Sequence, residues 1–369
     1  MLEKYERMFY EFTPERSGCD WIHSPYAYFH GERAFPGAKF NVGFQVVVKE
    51  ALADREPHFH PDDEHLIFMG AKWPNVFDSW NAEVWLYMGP ALDKMEKIVI
   101  NAPTIVQVPR GWWHGPLEFK RVTKPVLFQT AVKAGAVETI RLVDTGKAHI
   151  YQFTSDAGGK GLPSLDYPSV PWTVLNEDTG ALSEELRGHV CVIPREDTSH
   201  GPSVPSPQAY FRGETYLKTA TVHMGWQVIA GELPMENAHF HQGIDEYIFF
   251  MGADPMNIFD FDAEIEVQIG DDPDSLETKV ITKPTVLCLP ANTWHCPIMF
   301  KRITKPIMFQ AAFMSGVWGT IERHTGADGK ASYSYMGDNV RFCVYDSKKT
   351  CNFCGACFKK TEGEPQKQA

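Results

Sequence analysis

Long apolar runs are missing from this chain, and so is any excess of positive charge. No window approaches the uninterrupted apolar length that a membrane-spanning helix needs. Lys and Arg number 35 against 47 Asp and Glu, a formal net charge of −12, which disfavours nucleic acid and anionic membrane as partners. Cysteine is sparse, 8 in 369 residues, too thin for a disulfide scaffold. The opening "MLEKYERMFYEF" mixes charge with aromatics and has no apolar core of signal-peptide type, so a reducing, cytoplasmic setting is expected. Helical periodicity is absent between the apolar runs, and no dedicated phosphate loop is present.

What the chain does contain is one unit written twice. "AYFHGERAFPGAKFNVGFQVV" from Ala27 matches "AYFRGETYLKTATVHMGWQVI" from Ala209 without a gap. "NVFDSWNAEV" from Asn75 matches "NIFDFDAEIEV" from Asn257, and "PTIVQVPRGWWHGPLEFKRVTKPVLFQTAVKAG" matches "PTVLCLPANTWHCPIMFKRITKPIMFQAAFMSG". The period is too long for a solenoid, so each unit is expected to be a domain with its own core. Between them "TSDAGGKGLPSLDYPSV" reads as a connector, and "TGALSEELRGHV" as a short helix capped by Ser183 and stopped at Gly188. The expected organisation is an N-terminal extension over 1–25, a first barrel over 26–137, a linker over 138–208, a second barrel over 209–318 and a tail over 319–369.

Within each unit short β-type runs such as "KFNVGFQVVV", "HLIFMG", "AEVWLYMG" and "TIVQVP" are punctuated by Gly and Pro. Closely spaced runs of this kind predict an all-β sandwich or barrel, built twice.

The chemistry gathers in "PHFHPDDEHLIFMG" and its echo "AHFHQGIDEYIFFMG". His58 and His60 stand two apart, so on a strand both imidazoles leave the same face. Glu64 follows a turn, and His114 lies in the later turn "PRGWWHGP". The second unit supplies His239, His241, Glu246 and His295 in the same order. A lone His-x-His is commonly a surface pair, but a duplicated His, His, Glu and His is not what a core alone would preserve. Three imidazoles and a carboxylate suit a divalent iron, manganese, zinc, nickel or cobalt ion with positions left open.

These stretches resemble the cupin pattern: His-x-His, a glutamate three or four residues on, and a distant Pro-x-Gly-x-x-His turn. The chain is therefore similar to the bicupins, which implies two tandem cupin-type β-barrels of the jelly-roll kind, joined by a Gly/Pro-rich linker with a short helix. The resemblance makes His58, His60, Glu64 and His114 metal ligands in one barrel, and His239, His241, Glu246 and His295 in the other. Three departures stand out. Ala53 and Leu233 replace the first glycine of the pattern, the closing glycine comes early at Gly70 and Gly252, and Asn292 takes the place of Gly111. Asn tolerates the left-handed conformation best after Gly, so that turn is expected to survive.

Glu64 and Glu246 are also candidate catalytic carboxylates, with Gln45 and Gln227 as candidate substrate-binding amides; the alternative is that the glutamines satisfy backbone inside the barrel. Trp112, Trp113 and Trp294 could wall a pocket or belong to core and interface. Strand alternation points His65 and Tyr247 away from the metal. Lys120/Arg121 and Lys301/Arg302 read as solvated strand edges rather than anion guides, and Cys288 and Cys296 as small core residues. In the tail Cys351, Cys354 and Cys357, with Cys343 upstream, could hold zinc or an iron–sulfur cluster, or pack as reduced thiols.

The resulting expectation is a metal-dependent enzyme that cleaves or rearranges C–C bonds in a diketone, hydroxy-keto, catecholic or carboxylate substrate. It would act either as a dioxygenase or as a non-oxidative lyase, decarboxylase or hydrolase. A non-catalytic sensor or storage bicupin and a sugar isomerase are the alternatives, and two intact ligand sets count against the former. The expected partner is a small molecule, with a homo-oligomer left open.

Overall fold

The computed structural model describes residues 2–144, 149–156, 165–166, 174–176, 182–197 and 201–337. Cys343, Cys351, Cys354 and Cys357 lie outside the described residues. No helix among those described is long and apolar enough to cross a membrane.

Each repeated unit closes two antiparallel sheets on one another. In the first barrel Asn41–Val47, Val126–Val132, Glu64–Gly70 and Thr104–Val108 form the centre of one sheet. Ala82–Gly89, Trp113–Val122 and His58–Phe59 belong to the facing sheet. The second barrel repeats the plan with Glu246–Gly252 and Ile307–Phe313 in one sheet, and Ala263–Gly270 and Trp294–Ile303 in the other.

Burial explains the two kinds of apolar run. Ala82–Gly89 alternates buried with partly buried residues, as a strand with one solvated face should. Glu64–Gly70 is buried at every position. Its Leu66 and Phe68 enter the first barrel with Val84, Leu86 and Phe119. Its Ile67 and Met69 point the other way, into a cluster that also holds Trp226, Phe249 and Met251 of the second barrel. So the expectation of one core per unit is incomplete: each barrel has an interior, and a third, shared core lies between them. Phe249 sits near its centre, with the rings of Phe12, Phe29, Phe40 and Phe44 around it at centroid distances of 5.3–6.3 Å. The polar groups in that layer are largely paired across it. Trp226 Nε1 donates to Gln129 Oε1 at 3.0 Å, Gln129 Nε2 to Gln310 Oε1 at 3.2 Å, and the Lys39 amide to the Tyr247 hydroxyl at 2.7 Å.

The unit borders also differ from the sequence expectation. Glu138–Asp144 pairs with His58–Phe59 and with His149–Ser155, so the first sheet runs past 137 into the expected linker. Gly319–Thr325 and Ala331–Gly337 do the same past 318. The predicted linker helix forms over Glu184–Arg187, with Ser183 Oγ accepting from the Leu186 amide at 3.2 Å and Gly188 at its C-terminus. Beyond it Val190–Val192 adds an edge strand to Thr104–Val108 of the first barrel. The N-terminal arm does the reciprocal thing: Phe9–Glu11 pairs with Thr285–Leu289 of the second barrel. Phe9 and Val190 are 181 residues apart (190 − 9), the spacing that relates His114 to His295. Leu186 enters the first barrel's interior and Tyr5 the second's. The repeat therefore includes both arms, and each arm seals the other barrel. Their sequences have diverged too far to show it.

His65 faces the shared core rather than the first barrel's interior, as alternation predicts, and Tyr247 occupies the matching place. Neither ring nitrogen of His65 has a hydrogen-bond partner, and burial pushes its pKa down to about 4. An unfolded histidine titrates near 6.5, so from pH 6.5 down to 4 the unfolded chain binds a proton that the folded chain refuses. Stability should fall by about 3 kcal/mol across that window and be unaffected above it. Urea unfolding of the metal-free protein against pH, compared with His65→Leu, measures this. Equal slopes for the two proteins would refute the assignment.

Candidate metal centres

Strand register builds each centre. His58 and His114 stand opposite one another across two paired strands, and His239 and His295 repeat the pairing. His60 and Glu64 complete the first set and His241 and Glu246 the second; none of the eight is more than 6% exposed. The turn before His114 uses a left-handed Gly111, φ 76°, and Asn292 adopts φ 68° in the second copy. Asn292 Oδ1 also accepts from the Gly243 amide at 3.1 Å, so the turn survives the substitution.

Every ring is oriented by a backbone carbonyl. Nδ1 of His58, His60 and His114 meets the carbonyls of Glu56, Glu138 and Trp112 at 3.4, 2.7 and 3.3 Å. Nδ1 of His239, His241 and His295 meets those of Asn237, Gly319 and Thr293 at 2.8, 2.9 and 3.0 Å. A carbonyl only accepts, so Nδ1 carries the proton and Nε2 presents a lone pair inward. Glu64 Oε2 lies 3.4 Å from His60 Nε2 and 3.0 Å from His114 Nε2. Glu246 Oε2 lies 3.2 Å from His241 Nε2 and 3.0 Å from His295 Nε2. While the rings are neutral, these contacts have no proton to share. Five of these buried atoms, Glu64 Oε2, His114 Nε2, His241 Nε2, Glu246 Oε2 and His295 Nε2, have no hydrogen-bond partner. One cation in each barrel would satisfy them, and donors that share one ion at bonds of about 2.1 Å must lie within about 4.2 Å of each other. Donor atoms of His58, His60 and His114 lie within 4.8 Å of one another, as do those of His241, Glu246 and His295, and separately those of His239, His295 and Cys296; three-donor groups of this kind fit a divalent ion.

Protonation behaviour follows the same layout. Burial, then the neighbouring imidazoles, push His58 and His239 well down. Burial opposes charge on His60 and His241 as well, but the carboxylates of Glu64 and Glu246 outweigh it and raise both. Burial would raise the two carboxyls; the flanking imidazoles hold them well below the usual carboxylate range instead.

A small cavity of about 30 Å³ adjoins the first centre, walled by Leu66, Leu86, Leu117 and Phe128 and carrying Asp54, Thr130 and Gly115 beside the donors. That is room for a couple of water-sized groups. Gly115 keeps it open: φ is 86°, and a Cβ there would stand 3.1 Å from the Glu56 carbonyl. Arg141 stands in register with His58 and donates to Asp54 at 3.1 Å. Sequence reading passes over Asp54 and Arg141, because neither falls in a repeated motif; the pairing of Glu138–Asp144 with His58–Phe59 is what brings Arg141 in.

The other candidates are placed elsewhere. Gln45 shares the inward face of its strand with Val47 but is not among the cavity-lining residues. Gln227 donates its amide to the Tyr210 hydroxyl. The tryptophans do not wall the cavity: Trp113 packs on Phe59, Trp294 on Phe240 and Trp112 on His189. Arg121 and Arg302 bind Asn81 and Asp262, while Lys120 and Lys301 pair with Glu118 and Glu266, all at the surface. Cys288 and Cys296 are free and 1% exposed, packed as core residues. A larger concavity of about 780 Å³ opens between the barrels beside Trp73, Lys124, Asp254 and Lys305. Its lining contains no imidazole.

Two closed antiparallel barrels, related by an internal repeat and each carrying a buried His, His, Glu and His set, decide the architecture. The fold is that of a bicupin. Solved bicupin structures match it over most of their length. A Bacillus subtilis oxalate decarboxylase aligns with a TM-score of 0.55 at 10% identity, over 85% of this chain and 78% of that one. A formate complex of Lactobacillus farciminis oxalate decarboxylase gives 0.52 at 11%, over 85% and 88%. No family model matches the sequence, and no curated protein does.

Metal-free protein titrated with Mn²⁺ should take up one ion per barrel. Glu64→Ala should abolish one and Glu246→Ala the other. Affinity should weaken as pH falls, because the ion must displace protons that His60 and His241 hold more firmly than a free imidazole does. Full uptake by both variants would refute the donor sets.

Proposed function

We propose that this bicupin is a metal-dependent lyase that cleaves a C–C bond in a small carboxylate substrate without consuming dioxygen. The observation that carries this reading is the first centre: converging acceptor atoms with no proton to share, beside a cavity of about 30 Å³. A space of that size favours a substrate of a few heavy atoms over a flat catecholic ring. The solved structures with the same fold named above are oxalate decarboxylases, which agrees with a short dicarboxylate or keto acid.

His58, His60, Glu64 and His114 would hold the ion, whose fixed positive charge stabilises negative charge building on substrate oxygens as the bond breaks. The chain's own residues provide the rest. The backbone carbonyls that hold each Nδ1 keep the rings from turning, so the donor atoms need no reorganisation when substrate enters. Leu66, Leu86, Leu117 and Phe128 exclude bulk water and strengthen every charge interaction inside. Arg141, half-exposed and next to His58, offers a cation to a carboxylate that competes with Asp54 for it. When the C–C bond breaks, carbon dioxide leaves and the bond pair stays on the remaining fragment, which then needs a proton. Asp54 is the lining carboxylate outside the donor set and is placed to pass that proton in from solvent.

The test is anaerobic reloading with Mn²⁺, Fe²⁺ or Zn²⁺, followed by carbon dioxide release and oxygen uptake on oxalate, 2-keto acids and acyclic diketones. Turnover without stoichiometric oxygen uptake is expected, reduced more than about 100-fold by Glu64→Ala, with KM raised by Arg141→Gln. Oxygen consumed one-for-one with substrate would replace this reading with a dioxygenase.

A further inference from the structure

The large cleft between the barrels belongs to neither metal centre. Its walls are matching segments of the two repeats: residues 71–73, Asp78 and 124–125 on one side, and 253–255, Asp260 and 305–306 on the other. Each wall is held in the same way. The Ala71 amide donates to the Pro125 carbonyl at 3.1 Å, and the Ala253 amide to the Pro306 carbonyl at 3.2 Å. The cleft measures about 780 Å³. Small-molecule sites occupy about 300–1,000 Å³ and gather at domain interfaces.

Duplication alone would give each wall one Lys–Asp pair, and the second wall keeps it: Lys305 Nζ pairs with Asp260. The first wall does not. Arg195, on a strand paired with the second barrel's sheet, reaches back to Asp78 and engages both carboxylate oxygens. Its guanidinium also lies over the Phe77 ring, 5.0 Å from the centroid. Pro14 stands at the position matching Arg195 in the first repeat and has no charge to offer Asp260. Among the described residues Lys124 Nζ is left with a carbonyl, that of Asp78 at 3.3 Å, and no carboxylate. Lys72 replaces the matching Asp254 and is likewise paired with no carboxylate among the described residues. Trp73, beside it, stands where the second wall has Pro255, and its Nε1 is a buried donor without a partner. Divergence has thus gathered two unpaired ammonium groups and an indole on one wall. The opposite wall carries Asp254, whose Oδ1 accepts from the Met256 amide at 3.0 Å. Lys72, Lys124, Lys305 and Arg195 outnumber Asp78, Asp254 and Asp260 here, in a chain whose net charge is −12.

We propose that this cleft is a second small-molecule site, which takes a planar ring carrying one anionic group. The Trp73 indole and the faces of Pro125 and Pro306 receive the ring. Lys72 and Lys124 receive the anion through charge-assisted hydrogen bonds. Asp254 accepts from a ring amine or hydroxyl where the ligand has one. A mononucleotide and an aromatic carboxylate share that chemistry, whereas a free inorganic anion lacks the ring. Both barrels contribute a wall, and Ala71 and Trp73 pack on the shared core, so a bound ligand ties the barrels together and stabilises the folded chain. The site needs neither the metal nor the lyase reaction, and its failure leaves the lyase reading standing.

Calorimetric titration of the full chain tests this, with metal removed so that no anion is drawn to either centre. The probes are adenosine 5′-monophosphate and indole-3-carboxylate, with adenosine, indole and inorganic phosphate as their separate parts. At least one ring anion should bind once per chain and raise the melting temperature, and the one that binds identifies phosphate or carboxylate as the anionic group. Each separate part should bind about tenfold more weakly or worse. Lys72→Gln combined with Lys124→Gln should weaken the ring anion by about tenfold or more and remove most of its salt dependence. Both lysines are exposed, so the fold is undisturbed, and Lys301→Gln elsewhere on the surface should change nothing. A change in indole fluorescence on binding that disappears in Trp73→Phe places the ring. No binding of either ring anion at millimolar concentration would overturn the proposal. So would affinity untouched by the double substitution, or a separate part binding as tightly as the ring anion.

Discussion

Six imidazole Nδ1 atoms are tied to six backbone carbonyls, and the character of both barrels depends on that constraint. The ties fix tautomer and ring orientation together, which turns every Nε2 inward as a lone pair. Lone pairs and a carboxylate crowded into an apolar interior are destabilising unless a cation lies among them. The carbonyls in turn come from the strand ends and turns whose register the barrel sets, so the positions of the donors follow from the pairing of His114 with His58 and of His295 with His239.

Much of this was legible in the sequence for a physical reason: side chains that point inward along a strand and converge on one another cannot drift independently. His-x-His, the glutamate after the turn and the distant histidine are therefore visible in both copies, and the left-handed turn is readable through its Gly111-to-Asn292 exchange. Residues that act by proximity alone were not legible. Arg141 lies far along the chain from His58 and reaches it only through an unpredicted strand pairing. Repeat comparison also hides it, because Glu322 stands in its place. The tryptophans beside the last ligand pack on Phe59, His189 and Phe240 instead of walling the cavity, since nearness in sequence to a ligand says nothing about which face of the strand a side chain leaves. The exchanged arms were invisible because backbone pairing on an edge strand constrains few side chains.

Duplication has preserved the donors while releasing the surroundings. Asp54, Gly115, Thr130 and Arg141 make a small polar space with a cation at its edge. Met235, Cys296, Ala311 and Glu322 fill the matching space and reverse its charge. Between the two interiors lies the shared core around Phe249, in which outward faces of both barrels are buried. Such a layer transmits shape more than charge, since its polar groups are largely paired with each other.

The reciprocal arms carry a further consequence. Phe9–Glu11 completes the barrel that begins 200 residues later, and Val190–Val192 completes the one already made. Cut between the repeats, either half would retain an arm with no strand to join and a sheet with a bare edge, and the natural remedy for both defects is a second half. The single polypeptide thus has the internal logic of a two-fold dimer that exchanges its N-termini, with the linker standing in for free association. A tether of that kind lets the two centres evolve apart, as Arg141 and Glu322 have, because each half always meets its unlike partner and never its twin.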